Sequence, residues 1–218
     1  AIAAMDPAMV VAQIAAVRAG FPLQAAKTGM LYSAAIIEAV AAALEGDPLP
    51  NLVVDPVMVA TSGARLLRED AVAALTSWLI PKARVITPNR PEAEVLWQHP
   101  IATVDALSDA ARAIGETFGV ACVVKGGHLV EDGSGRADSR EVVDVLYVDG
   151  GLHIFRGPVV EAVETHGTGC TFSAALAAWL ARGEPLVDAT RRAKEFVADA
   201  LRHAWRVGSH TPLGIGRR

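Results

Sequence analysis

Residues 52–57, Leu-Val-Val-Asp-Pro-Val, form a short and almost entirely apolar run. The run is too short for a typical helix and lacks the alternation of a half-exposed strand, so it predicts a strand that is buried on both faces. Further short segments, also predicted as strands, occupy residues 23–28, 83–87 and 120–124, and the last of them is apolar throughout. Strands of this kind are typical of parallel sheets with helices on both sides.

Segments with the helical spacing of apolar residues lie between these runs. Asp6-Pro7 and Ser33 are signals for helix starts, and the predicted helices cover residues 7–17, 33–44, 69–79 and 104–118. Residues 131–140 are polar and predict a surface loop. After it, Asp149-Gly150-Gly151 predicts a β-hairpin between residues 142–148 and 152–155, and two helices follow, one to Leu180 and one over residues 187–206.

This order of elements predicts an α/β fold with a mostly parallel central sheet and helices on both faces. The length favours one domain over residues 1–218, with a loose tail from about residue 208.

The composition excludes several classes of protein. Hydrophobic residues make up 52% of the chain and charged residues 20%, which is typical of a globular protein. The net charge of −4 argues against nucleic acid or an anionic membrane as a partner, because either requires a basic surface. Cys122 and Cys170 have neither the spacing of a zinc site nor that of a disulfide framework. No apolar stretch reaches the roughly 18 residues of a membrane span, so we expect a cytoplasmic protein.

Polar motifs follow the predicted strands, at the positions where open α/β sheets bind ligands. The motifs are Lys-Thr-Gly-Met, Asp-Pro-Val-Met, Thr-Pro-Asn-Arg-Pro-Glu and Lys-Gly-Gly-His. Asp55 predicts either a Mg²⁺ site beside phosphates or a cap of the turn before Pro56. Glu92, three residues after Asn89, predicts either a carboxylate that serves the same metal or a first-turn residue favoured by the helix dipole. Lys125 predicts either a phosphate contact or a buried ion pair.

A glycine-rich segment, His166-Gly167-Thr168-Gly169-Cys170, opens a predicted helix. Its glycines allow close approach of a ligand, and the free N–H groups and the helix dipole favour an anion such as a phosphoryl group in transfer. A cysteine at this position is favoured as the thiolate, which can accept a proton near neutral pH. The alternative is a glycine-rich turn that caps a packing helix. Neither the P-loop motif nor the dinucleotide-binding fingerprint occurs in the sequence.

Together these motifs resemble those of the hydroxymethylpyrimidine/phosphomethylpyrimidine kinases of thiamin biosynthesis. The matching segments are V-V-D-P-V-M-V-A-T-S-G, T-P-N-R-P-E-A-E, V-V-K-G-G-H and T-H-G-T-G-C-T-F-S-A-A, preceded by K-T-G-M-L. The resemblance runs from about Lys27 to Phe196. It implies a ribokinase-like fold, the use of ATP and Mg²⁺, and a homodimer. The implied reaction is phosphorylation of the hydroxymethyl group of 4-amino-5-hydroxymethyl-2-methylpyrimidine and then of its monophosphate.

The resemblance also implies roles for individual residues. The backbone of Gly167, Thr168 and Gly169 would form an anion hole, with Cys170 as the catalytic base. The residues implied to bind ATP are Lys125, Asn89, Thr165 and Lys194. Met30 and Val57 would line the pyrimidine pocket, and Asp55 and Glu92 would serve Mg²⁺.

The sequence departs from the family at its beginning. It starts in an alanine-rich segment without Met and lacks the family's first strand, its G-x-D-x-S-G-G-A-G loop and a flap with a substrate-binding glutamine. We therefore expect a further segment before residue 1 and a dependence of the acceptor pocket on it. Two other functions stay open: a pyridoxal kinase, some of which share the Gly-Thr-Gly-Cys motif, and a ribokinase-like module that binds a ligand without turnover.

Overall fold

The fold is a single mixed sheet with helices packed against it. The structure is a computed structural model, and it describes residues 4–46, 48–58, 67–127, 141–160 and 167–216. The helices are α1 (Pro7–Gly20), α2 (Ala34–Ala43), α3 (Glu69–Ala74), α4 (Arg90–Trp97), α5 (Val104–Phe118), α6 (Thr168–Ala181) and α7 (Leu186–Arg202). The strands are β1 (Ala26–Thr28), β2 (Leu52–Val54), β3 (Val85–Ile86), β4 (Ala121–Lys125), β5 (Glu141–Val148) and β6 (Gly151–Pro158).

The strands lie side by side in chain order, from β1 to β6. The pairs from β1 to β4 are parallel, whereas β5 is antiparallel to both β4 and β6. The mostly parallel sheet expected from the sequence is thus confirmed.

Successive residues of the central strands bury against different helices. Val54 and Ile86 pack in the cluster that contains α2, α3, α4 and α5. Val53 and Val85 pack on the opposite side, with α6 and α7. This division follows from the two-residue period of a strand. The apolar runs therefore predicted correctly that these strands are covered on both faces.

Helix starts follow the predicted capping signals. The Ala8 N–H donates to Asp6 Oδ1 at 2.8 Å, with Pro7 in the first position of α1. The Ile36 N–H donates to Ser33 Oγ at 3.4 Å at the start of α2. Both side chains accept from an N–H group that the first turn of a helix leaves without a partner.

Several elements end at residues other than those predicted. β2 ends at Val54 rather than residue 57, because Pro56 has no N–H for the ladder and Val57 turns with a φ of 45°. The strands predicted over residues 23–28 and 83–87 shorten to β1 and β3. The helix predicted over residues 69–79 is regular in α3 only, and continues as a π-helical turn, Leu75–Leu79, and a 3₁₀ turn, Ile80–Lys82. α1 extends to Gly20, and α7 ends at Arg202 rather than residue 206.

The hairpin predicted at Asp149-Gly150 joins β5 to β6. Asp149 and Gly150 have φ values of 50° and 78°, the left-handed conformation that a type I′ turn requires at both positions. The surface loop predicted at residues 131–140 lies outside the described residues. The segment predicted as a loose tail is described as far as Gly216, and in it the Gly214 N–H donates to the carbonyl oxygen of Ala200 in α7 at 2.9 Å.

Candidate active site

An ion pair lies at the carboxyl edge of the sheet, on the face that α6 covers. Asp55 follows Val53 by two residues and Lys125 follows Val123 by two, so both side chains share the face of these buried valines. Lys125 Nζ lies 3.3 Å from Asp55 Oδ1, and the two side chains are only 15% and 3% exposed. Of the two partners that the sequence predicted for Lys125, the structure contains the buried carboxylate.

The first turn of α6 approaches this ion pair. Ser173 Oγ lies 3.0 Å from Asp55 Oδ2 and 3.1 Å from the carbonyl oxygen of Cys170, so its hydroxyl can donate to either. A Cβ atom at Gly169 would lie 3.0 Å from Lys125 Nζ. Glycine at this position therefore lets the helix backbone come close to the ammonium group.

The start of α6 offers backbone donors to an anion. Gly167 precedes the helix with a φ of 88°, a conformation that glycine adopts without strain. Gly167 has no side chain that could cap the helix, so it leaves the N–H groups of the first turn and the helix dipole to an anion. Cys170 is exposed in this turn. Thr165 and His166, predicted as part of the same motif, lie outside the described residues.

Glu92 is buried at the start of α4, and both of its oxygens accept backbone hydrogen bonds. The Asn89 N–H donates to Oε2, and the Glu92 N–H donates to Asn89 Oδ1, each at 2.9 Å, which forms a capping box. The Met58 N–H donates to Oε1 at 2.9 Å and ties the loop after β2 to α4. Burial raises the pKa of Glu92, an effect that the positive charge of Lys125 opposes. The helix-start role considered for Glu92 is therefore present.

Asp55 and Glu92 fit a Mg²⁺ ion that arrives with a phosphate ligand. The negative charge of Asp55 contributes to the raised pKa of Glu92, so the two carboxylates lie within electrostatic reach of each other. Mg²⁺ typically binds one or two carboxylates together with substrate phosphates, rather than a complete cage of protein ligands. Within the described ranges, no group of three or more His, Cys, Asp or Glu residues is arranged to hold a metal ion by itself.

The other residues predicted for the site lie on both sides of this ion pair. Met30 follows β1 and is 41% exposed. Val57 follows β2 with its φ of 45°, a strained conformation for a β-branched residue and one that is often found at ligand sites. Lys194, on α7, forms an ion pair with Asp144 on β5. The order of the strands thus separates Met30 and Val57, which are predicted to contact the pyrimidine, from Lys194, which is predicted to bind ATP.

Sequence reasoning missed three polar residues near the edge. Ser173 stands one helical turn after Cys170 and is the one polar residue of α6 after Thr171, and that position was a usable signal. Asp144 interrupts an apolar strand in the same way as Asp55, so the same argument applied to it. Thr87 is fully buried, and its hydroxyl has no hydrogen-bond partner among the described residues. The sequence did not single out Thr87, because threonine is common in strands.

Known proteins share both the sequence pattern and the fold. A family model described as phosphomethylpyrimidine kinase matches residues 1–214. A protein of Haemophilus influenzae named hydroxymethylpyrimidine/phosphomethylpyrimidine kinase is 43% identical over 202 residues, which cover 92% of this chain and 74% of that protein.

Two solved structures have the same architecture. Pyridoxal kinase from Bacillus subtilis, in an ADP complex, gives a TM-score of 0.82 at 34% identity and covers 96% of this chain and 76% of its own. Phosphomethylpyrimidine kinase from Clostridium difficile gives a TM-score of 0.76 at 31% identity, with 90% and 77% covered. These likenesses confirm the ribokinase-like α/β fold expected from the sequence.

Proposed function

Because the chain belongs to the phosphomethylpyrimidine kinase family, we propose that it phosphorylates 4-amino-5-hydroxymethyl-2-methylpyrimidine with ATP. The resulting monophosphate is its second acceptor, and the product serves thiamin biosynthesis. The observation that carries the proposal is the meeting of Asp55, Lys125 and the start of α6 at the carboxyl edge of the sheet. Phosphoryl transfer relies mainly on positioning and on charge stabilisation, and such a site offers both.

Lys125 and the backbone of α6 form the phosphate-binding part of the proposed site. The N–H groups of Gly167, Thr168 and Gly169 would donate to the oxygens of the transferring phosphoryl group. Lys125 would share its charge between Asp55 and the phosphates of ATP. The close position of Gly169 to the Lys125 ammonium group supports this role. The remaining residues proposed to bind ATP are Asn89, Thr165 and Lys194.

Cys170 is the proposed catalytic base. Its thiolate would accept the proton of the hydroxymethyl group while that oxygen forms a bond to the γ-phosphorus and ADP leaves. The exposure of Cys170 in the first turn of α6 gives an acceptor access to it. Ser173 contacts both Asp55 and the carbonyl oxygen of Cys170, and it therefore orients this turn relative to Lys125.

Asp55 and Glu92 are the proposed ligands of Mg²⁺, and Met30 and Val57 the proposed contacts of the pyrimidine. When bound, Mg²⁺ would neutralise part of the charge of the phosphates. The left-handed backbone of Val57 and its neighbour Met58, which Glu92 holds, supports a shaped pocket on this side of the site.

Turnover by the full-length protein tests the proposal. Purified protein with ATP and Mg²⁺ is expected to release ADP with hydroxymethylpyrimidine and with its monophosphate, and mass spectrometry should identify both products. Cys170→Ser, with its folding verified independently, is the matched control for activity that comes from contaminating kinases. ADP release without a phosphorylated pyrimidine would contradict the proposal.

Pyridoxal phosphorylation is the second candidate function. It is favoured by the likeness to the Bacillus subtilis enzyme, with a TM-score of 0.82. The two functions differ in the acceptor only, so kcat/KM for pyridoxal and for hydroxymethylpyrimidine should be compared in the same preparation. A larger value for pyridoxal would assign the chain to this second function, and binding of ATP without turnover of either would favour a non-catalytic module.

The proposal includes a homodimer in the cytoplasm, as the family resemblance implies. No helix in the described part of the chain has both the length and the hydropathy to cross a bilayer. Size-exclusion chromatography with light scattering of the full-length protein tests the dimer, and fractionation of the source cells tests the location.

A further inference from the structure

A second buried ion pair lies next to that of Asp55 and Lys125. Lys194 Nζ of α7 lies 2.7 Å from Asp144 Oδ2, and the side chains are 13% and 8% exposed. Asp144 is the cross-strand partner of Lys125 in the pairing of β4 with β5. Paired residues of neighbouring strands project to the same face, so Asp144 is a neighbour of both lysines.

The second oxygen of Asp144 holds the backbone that follows Lys125. The Gly126 N–H points to Asp144 Oδ1 at 3.1 Å and to the carbonyl oxygen of Val143 at 2.9 Å. One carboxylate thus connects the end of β4 with α7, two elements that are far apart in the chain.

A glycine in β6 leaves space for the Lys194 side chain to reach the carboxylate of Asp144. A Cβ atom at Gly157 of β6 would lie 3.3 Å from Lys194 Cε, closer than most such contacts. A larger residue at Gly157 would therefore crowd the lysine side chain on its path from α7 to β5.

Stability alone does not account for the pair. Burial removes water from both charges, and exchange of a buried ion pair for apolar residues of similar size is often neutral or stabilising. What the pair provides is a cationic group with a fixed position beside Lys125. Groups that are fixed before a ligand binds lose less entropy when it does.

We propose that Asp144 is a positioning residue for the polyphosphate of a nucleoside triphosphate. It holds the Lys194 ammonium group and the Gly126 backbone in place relative to Lys125, so that two cations stand ready for adjacent phosphates. The inference rests on the proposed function in that ATP is the phosphate donor.

The test compares binding of ATP with binding of adenosine, which has no phosphates. Isothermal titration calorimetry of the full-length protein measures both ligands, ATP with Mg²⁺ present. Asp144→Asn removes the charge at nearly constant size and is expected to weaken ATP binding about tenfold, the size of one charge-assisted contact, while adenosine affinity stays the same. Asp144→Glu keeps the charge and is expected to bind ATP more tightly than Asp144→Asn.

Glu141→Gln is the matched control in the same hairpin. Glu141 begins β5, and in its ion pair with Arg156, at 3.3 Å, the side chains are 45% and 41% exposed, far more than those of Asp144 and Lys194. Loss of an exposed charge of this kind has little effect, so ATP affinity should equal that of the wild type.

Lys194→Met breaks the same pair from α7 and keeps the apolar part of the side chain, and it replaces Asp144→Asn if that variant does not fold. If the two residues act as one unit, the loss of ATP affinity in the double variant, Asp144→Asn with Lys194→Met, is smaller than the sum of the single losses.

Unchanged or tighter ATP binding by a folded Asp144→Asn would overturn the proposal, as would equal losses for ATP and adenosine. Wild-type protein that binds ATP but phosphorylates no acceptor would refute the proposed function and leave this test valid. Wild-type protein that does not bind ATP would overturn both.

Discussion

Replacement of Glu92 by alanine is expected to loosen two parts of the structure at once. Its carboxylate accepts the Asn89 N–H at the start of α4 and the Met58 N–H after β2, each at 2.9 Å. Both donors lose their acceptor in Glu92→Ala. Met58 is only 2% exposed, so water cannot easily take the place of the carboxylate.

The size of the effect follows from these two contacts. A buried donor without a partner costs about 1–3 kcal/mol, and a lost helix cap costs about 1 kcal/mol. The free energy of unfolding should therefore fall by about 2–4 kcal/mol, or about 5–15 °C in melting temperature for a chain of this length. Burial of the carboxylate charge, which raises the pKa of Glu92, opposes folding. We therefore expect the decrease in the free energy of unfolding to lie in the lower half of this range.

Thermal unfolding followed by circular dichroism measures the change, with Asp105→Asn as the control. Asp105 is also acidic and in the first turn of a helix, α5, but it is exposed. Its loss should remove only the interaction with the helix dipole, about 0.3–1 kcal/mol. Equal melting temperatures for the two variants would refute the reasoning, because they would show that the buried hydrogen bonds of Glu92 add no stability.

Three further changes test the site. Cys170→Ser should lower turnover about 10²-fold or more, since general-base catalysis contributes about 10²–10⁴; full activity in this variant would remove Cys170 from the chemistry. Asp55→Asn should lower Mg²⁺-dependent turnover far more than the melting temperature, and a dominant loss of stability would point to a purely structural ion pair. Burial raises the pKa of Glu92 above the ordinary value of 4.5, so the folded state holds this proton more tightly. The stability of the wild type relative to Glu92→Gln should therefore be highest below pH 4.5 and fall as the pH rises through the raised pKa, and urea unfolding that gives a pH-independent difference would contradict this.

Most of the fold could be predicted because its signals are local. The apolar run at residues 52–57 and the capping side chains of Asp6 and Ser33 act within a few residues of their own position. Strand ends were predicted less well, since hydrogen bonds to a neighbouring strand decide where a ladder stops. The π-helical turn Leu75–Leu79 after α3 was missed for a similar reason: its sequence has an ordinary helical pattern.

The site could be predicted only as a set of separate positions. The rule that ligands bind at the carboxyl ends of parallel strands places Asp55 and Lys125 at one edge. Their contact depends in addition on β3, which lies between their strands in the sheet. The contact of Asp55 with Ser173 spans 118 residues of sequence and depends on how α6 packs. Such partners follow from tertiary packing, and a single sequence does not specify it.

The order of the strands has a consequence for how the protein is made. Each strand pairs with the one that follows it in the chain, so a chain that emerges from the ribosome can add strands one at a time to an existing edge. Among the six described strands, none has to insert between two earlier ones, which keeps the entropy of loop closure small at each step. The helices α6 and α7 follow these strands in the chain, and they cover the face that carries Asp55 and Lys125. The proposed catalytic centre is therefore complete only after β1 to β6 have been synthesised, and a nascent chain without α6 has the carboxylate and the lysine but lacks the helix start that is proposed to bind a phosphate.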